Sequence, residues 1–177
     1  NQIGKEWGEM FSIREIFDLA VRIEENGEKF YREALKGISV PSIRSLIEWL
    51  ADEEVKHREW FLNRRNTVKA KTDNIQMEDM GSRILKEIMG DQTFSLKEVD
   101  VGTINTLGDL IAIAIEFERD TVLFFEMLST LVDDKTTTEG LSEIIEEENR
   151  HIALLEDFQL NGHSQIKAAE PGGKRTE

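Results

Sequence analysis

The chain has 177 residues, with 39% hydrophobic and 33% charged side chains, which fits one globular domain with a substantial core. A net charge of −14 argues against nucleic acid or an anionic membrane as the main partner. With no Cys, the chain itself cannot hold a disulfide, a catalytic thiol, an iron–sulfur cluster or a Cys-ligated zinc or iron.

Residues 1–11 read as a lead-in whose Trp7 and Phe11 pack on the domain. Ser12-Ile-Arg-Glu15 reads as a capping box opening a first helix. Its apolar stripe runs through Ile13, Ile16, Phe17, Ala20, Val21, Phe30, Tyr31, Ala34 and Leu35, and Gly37 closes it. Pro41 opens a second helix, with Ile43, Leu46, Ile47, Leu50 and Phe61 inward, running to about Asn66. Residues 67–105 form a long connection containing a short helix, Met77 to Met89. A connection of that length lets the next helix run parallel to the one before it. The third helix starts near Asn105 or Thr106, with Leu107, Leu110, Ile111, Ala114, Phe125 and Leu128 inward. After a loop at 133–137, the fourth carries Leu141, Ile144, Ile145, Ile152, Leu155 and Phe158 inward. Residues 161–177 are polar, contain Pro-Gly-Gly and read as a disordered tail or linker. The expected fold is all-α: a four-helix bundle over residues 1–160, made of two repeated helix hairpins joined by a long crossover. No apolar run approaches a membrane span and no basic, apolar leader opens the chain, so the expected location is cytoplasmic.

The stripes are interrupted by charge in a repeating way. Glu54 and His57, three residues apart, project from one helix face and can offer a carboxylate oxygen and an imidazole nitrogen to one metal. Glu148 and His151 repeat the motif 94 positions later, and each pair has a further Glu thirty residues upstream, Glu24 and Glu118. A lone Glu-x-x-His would carry little weight in a chain with 25 Glu. Six matched positions, each on an apolar stripe, carry much more. The halves also align as Ala20 with Ala114, Phe30 with Phe124 and Tyr31 with Phe125.

Four unpaired carboxylates inside one bundle would each cost several kcal/mol or take up a proton. Two divalent cations balance them beside two neutral imidazoles. Di-iron and di-manganese bundle proteins use this set: a Glu from each of two helices and a Glu-x-x-His from each of the other two. In that arrangement Glu24 and Glu118 are terminal ligands, Glu54 and Glu148 bridge, and His57 and His151 each hold one metal. The expected cofactor is two iron ions, with manganese or zinc able to enter. Two metals held together can polarise a two-atom oxygen species between them. Tyr31, two turns beyond Glu24, can hydrogen-bond a ligand carboxylate, or supply an electron or a proton; Phe125 cannot. Glu53, Glu146 and Glu147 are expected to face solvent, His163 to be inert, and Trp49, Trp60, Met77, Met80 and Met89 to pack. Gly27 either leaves room for a small molecule beside Glu24 or lets two helices approach closely.

These residues carry a resemblance. Ala20-Val-Arg-Ile-Glu-Glu-Asn-Gly-Glu-Lys-Phe-Tyr31 with Asp52-Glu-Glu-Val-Lys-His57, repeated as Ala114 to Phe125 and Glu146 to His151, resembles the rubrerythrin-like branch of the ferritin superfamily over roughly residues 12–158. The resemblance implies a four-helix bundle with a non-haem di-iron site, a homodimer that is sometimes helix-swapped, and peroxide reduction or ferrous iron oxidation. Peroxide or dioxygen, ferrous iron and an external electron donor would be its partners. Two departures stand out. Rubrerythrins usually carry a four-cysteine iron domain as electron donor, and this chain has no Cys. They also carry one more Glu a turn after the third-helix Glu; that position is Thr121, and its repeat counterpart is Gly27. Competing readings are an iron-binding, storage or delivery protein without turnover, an oxidase or hydroxylase acting on an organic substrate, and a bundle whose metal is structural.

Overall fold

The computed structural model describes residues 13–69, 101–104 and 106–167. Among these residues are four α-helices: α1 (Ile13–Ala34), α2 (Pro41–Arg64), α3 (Leu107–Leu131) and α4 (Lys135–Lys167), with a short 3-10 turn at Val101–Thr103 before α3. No strand occurs among the described residues. The expected lead-in, the Ser12 cap, the helix from Met77 to Met89 and residues 168–177 lie outside them.

Local chemistry accounts for the helix starts. Pro41 takes the first turn of α2, where a missing N–H costs nothing. Thr106 caps α3 by accepting the Asp109 N–H at 3.0 Å. Asp134 Oδ1 accepts the Thr137 N–H at 2.8 Å, which draws residues 135–137 into α4 and shortens the loop expected at 133–137. The expectation of an irregular chain from residue 161 also changes, because α4 continues through Gly162 to Lys167. An interior Gly costs a helix only about 1 kcal/mol against Ala, so Gly162 alone does not end α4.

α1 packs on α2 and α3 on α4, and the two hairpins meet along α1–α3 and α2–α4. Two apolar clusters fix the directions. One joins the start of α1 (Ile16, Phe17), the end of α2 (Phe61), the end of α3 (Phe124, Leu128) and the start of α4 (Leu141, Ile144). The other joins the end of α1 (Phe30, Tyr31), the starts of α2 (Ile43, Ile47) and α3 (Leu110, Ile111), and Leu155 late in α4. So α2 and α3 run parallel, as the long connection between them requires. Its first residues are tied down by the Asp133 N–H, which donates to the Lys69 carbonyl at 3.0 Å. Each fully buried Phe, Ile or Leu contributes about 1.5–3 kcal/mol. The two clusters therefore offset the cost of the charged layer that separates them.

Candidate metal centre

Between the apolar clusters lies a belt of buried charge. Glu24, Glu54, Glu118 and Glu148 are fully buried, and His57 and His151 nearly so. Helical phase places them: each occupies a core position of its stripe, with Ile23 and Phe30 around Glu24, Leu50 and Phe61 around the second-helix pair, and Ile144 and Leu155 around the fourth. The six side chains form two overlapping groups. Glu24, Glu54, His57 and Glu148 each bring a donor atom within 4.8 Å of the others, and so do Glu54, Glu118, Glu148 and His151. Glu54 and Glu148 belong to both.

The donor atoms are poorly satisfied by one another. Both oxygens of Glu24 and of Glu54, Oε2 of Glu118, Oε1 of Glu148, Nδ1 of His57 and Nε2 of His151 are buried without a hydrogen-bond partner among the described residues. His57 Nδ1 lies 2.9 Å from Glu148 Oε1, but the pair is not aligned as a hydrogen bond. The His57 and His151 rings stack at 5.9 Å. Burial without partners normally costs each such group about 1–3 kcal/mol or more, so a fully charged belt with no cation carries a large penalty. Carboxylate oxygen and imidazole nitrogen suit iron, manganese or zinc, and the residues present fit a pair of such ions.

Proton affinities express the same frustration. Burial, with Glu148's charge adding, pushes Glu24 up from 4.5 to about 7. Burial and neighbouring carboxylates raise Glu54 and Glu118 further. Burial opposes a charged His57, but Glu148, Glu24 and Glu147 outweigh it and lift His57 to about 10. Glu148 goes the other way: burial disfavours its charge, yet His57 and His151 hold it below the usual carboxylate range. Without metal, protons do the neutralising that cations would do.

Around the belt, Tyr31 is fully buried and its hydroxyl donates to Glu118 Oε1. Burial and then Glu118 hold the phenol well above its ordinary pKa, so it keeps its proton. Gly27 answers its own question. A Cβ there would stand 2.8 Å from Phe117 Cε1 and 2.9 Å from Glu54 Oε2, so Phe117 and the Glu54 carboxylate fill the space. Thr121, at the counterpart position, is buried and turns its hydroxyl back to the Phe117 carbonyl at 3.0 Å.

Two expectations about the outer residues need correction. Glu147 does not simply face solvent: its Oε2 accepts from His57 Nε2 at 2.9 Å. Glu53 is buried and takes the Lys56 ammonium at 2.6 Å. Only Glu146 of the three is exposed. A residue one step off the stripe turns toward the neighbouring helix rather than outward, because a bundle helix is covered on two sides. The repeat held the signal, since Glu53 and Glu147 are themselves 94 positions apart. Trp49 does more than fill space: its ring meets His151 edge-to-face at 5.1 Å. Trp60 packs on Phe17 and Phe61 as expected. The side chain of His163 lies outside the described ones. Among the described residues no helix is long and apolar enough to cross a membrane.

The fold has a solved counterpart. A protein of Thermotoga maritima described as a ferritin-like diiron-carboxylate protein superposes with a TM-score of 0.63 at 22% identity, covering 86% of this chain and 97% of that one. At that identity the likeness speaks for the fold alone. No curated protein matches the sequence. The rubrerythrin family model matches residues 15–159. That span takes in Glu24, Glu54, His57, Glu118, Glu148 and His151, and the chain belongs to the rubrerythrin family.

Proposed function

We propose that the chain is a non-haem di-iron redox protein that reduces peroxide or oxidises ferrous iron. The observation that carries this reading is the pair of overlapping four-donor groups, fully buried and short of partners. In it Glu24 and His57 would hold one ion and Glu118 and His151 the other, with Glu54 and Glu148 common to both donor groups. Bound there, a pair of ferrous ions would supply the two electrons that reduce a peroxide, or the first two that reduce dioxygen. The protein's residues do the rest. The apolar clusters on either side keep bulk water from the belt and so strengthen every charge interaction inside it. Tyr31 holds a proton at Oη against Glu118 and is placed to orient that carboxylate. Thr121 brings no seventh carboxylate: its neutral hydroxyl donates to the Phe117 carbonyl of its own helix. In the peroxide-reducing reading the electrons come from a donor other than the belt, because no Cys among these residues could hold a four-cysteine iron beside it.

Stopped-flow mixing of the diferrous protein with peroxide, and separately with dioxygen, tests the reading. Rapid oxidation by peroxide identifies a peroxide reductase, and rapid oxidation by dioxygen with uptake of further ferrous iron identifies a ferroxidase. Iron that binds but oxidises no faster than free ferrous ion contradicts both and leaves a binding or delivery protein.

A further inference from the structure

The repeat makes the two halves of the belt equivalent in sequence, but the structure does not make them equivalent in surroundings. His57 and His151 are counterparts. The outward nitrogen of His57, Nε2, is held by Glu147 at 2.9 Å. A carboxylate only accepts, so Nε2 carries the proton and Nδ1 is directed into the belt. Glu147 is in turn steadied by Arg150 at 3.3 Å. The outward nitrogen of His151 has no hydrogen-bond partner among the described residues. The counterpart of Glu147 is Glu53, which is taken by Lys56 and groups with His57 and Glu147 rather than with His151. Trp49 stands against the His151 ring, where the other half has the exposed Glu143.

The terminal carboxylates differ in the same sense. Among the described residues neither oxygen of Glu24 has a hydrogen-bond partner, while Glu118 already accepts the Tyr31 hydroxyl on Oε1. An imidazole whose far N–H is held by a carboxylate is fixed in the right tautomer and is a more basic donor. A carboxylate that shares an oxygen with a hydroxyl has less charge to give a cation. Both differences favour the same position.

We infer that the two positions load in order: the first divalent cation binds among Glu24, Glu54, His57 and Glu148, and Glu147 is the positioning residue that, through His57, makes that position the tighter one. The second cation, at Glu118 and His151, is the exchangeable one. This rests on the ligand set proposed above.

The test is an anaerobic titration of the metal-free protein with manganous ion, counting free ion by electron paramagnetic resonance. The native chain is expected to bind two ions in two resolved steps at least about tenfold apart. Glu147→Gln, nearly isosteric at a side chain that is 36% exposed, should weaken the first step by about 10–100-fold, the usual cost of losing such an outer partner. It should leave the second step unchanged, so that the steps merge. Glu146→Gln, at an exposed neighbour, should leave both steps as they are, and circular dichroism should show all three proteins equally helical. Two equal steps in the native chain, or a Glu147→Gln variant that weakens both steps alike, would overturn the ordered loading while leaving the ligand set standing. No binding of manganous or ferrous ion at all would instead sink the ligand set itself.

Discussion

Removing metal should invert the protein's response to pH. In the metal-free chain Glu24 is raised from 4.5 to about 7 and His57 from 6.5 to about 10. Both groups hold protons in the folded state that they release on unfolding. Stability from such groups is fully present below the unfolded pKa and is lost as pH rises through the folded one. For Glu24 the window runs from 4.5 to about 7, and for His57 from 6.5 to about 10. Glu148, held low, has the opposite sign, but its contribution is lost only as pH falls below 4.5. Between about pH 5 and 8 the metal-free protein therefore weakens as pH rises. Each tenfold change in proton affinity is worth about 1.4 kcal/mol, so Glu24 alone accounts for about 3 kcal/mol. In a chain of this size that lowers the thermal midpoint by roughly 6–12 °C. The metal-loaded protein behaves oppositely: its ligands bind deprotonated, so affinity rises with pH and stability rises with it. Thermal melts by far-UV circular dichroism at pH 5, 6.5 and 8, with and without metal, give two curves of opposite slope. Glu24→Gln should flatten the metal-free curve. A metal-free midpoint that holds steady or climbs from pH 5 to 8 would refute the buried, proton-neutralised belt.

Other perturbations separate the site from the scaffold. Gly27→Ala and Gly140→Ala both force a Cβ into occupied space, the second 2.4 Å from Trp60 Cζ2. Each should cost about 1–3 kcal/mol by overpacking, but elemental analysis should show metal loss only for Gly27→Ala, which displaces the Glu54 carboxylate. Glu148→Ala removes a donor shared by both groups and should abolish binding of both ions, whereas Glu146→Ala, read by the same analysis, should keep them. Tyr31→Phe should keep two metals per chain and change the rate of oxidation in stopped flow; an unchanged rate would reduce Tyr31 to packing.

The belt was legible because burial and repetition agree. Glu118 sits where the period of Leu110, Ile111, Ala114 and Phe125 demands an apolar residue, and its counterpart Glu24 breaks the first stripe in the same phase. A charged residue at such a point is costly enough to announce itself. The burial of Tyr31 followed from the same phase, whereas its choice of Glu118, a carboxylate on another helix, did not. Glu147 was harder to place. Helical phase puts it at the edge of the buried arc, where orientation depends on how closely α2 approaches α4, and single-helix periodicity does not contain that crossing. Trp49 against His151 is likewise a contact between helices, and nothing in the spacing of α2 specifies it. The dual possibility at Gly27 was settled by Phe117, a residue on another helix altogether.

The central claim is that this belt holds two metal ions sharing two carboxylates. Anomalous-scattering maps from crystals of the iron-loaded chain measure it most directly. The account predicts two peaks per chain, the number this ligand set takes. One should be bound by Glu24 and His57, the other by Glu118 and His151, with Glu54 and Glu148 touching both. A single peak, or ions bound outside these six residues, would contradict it.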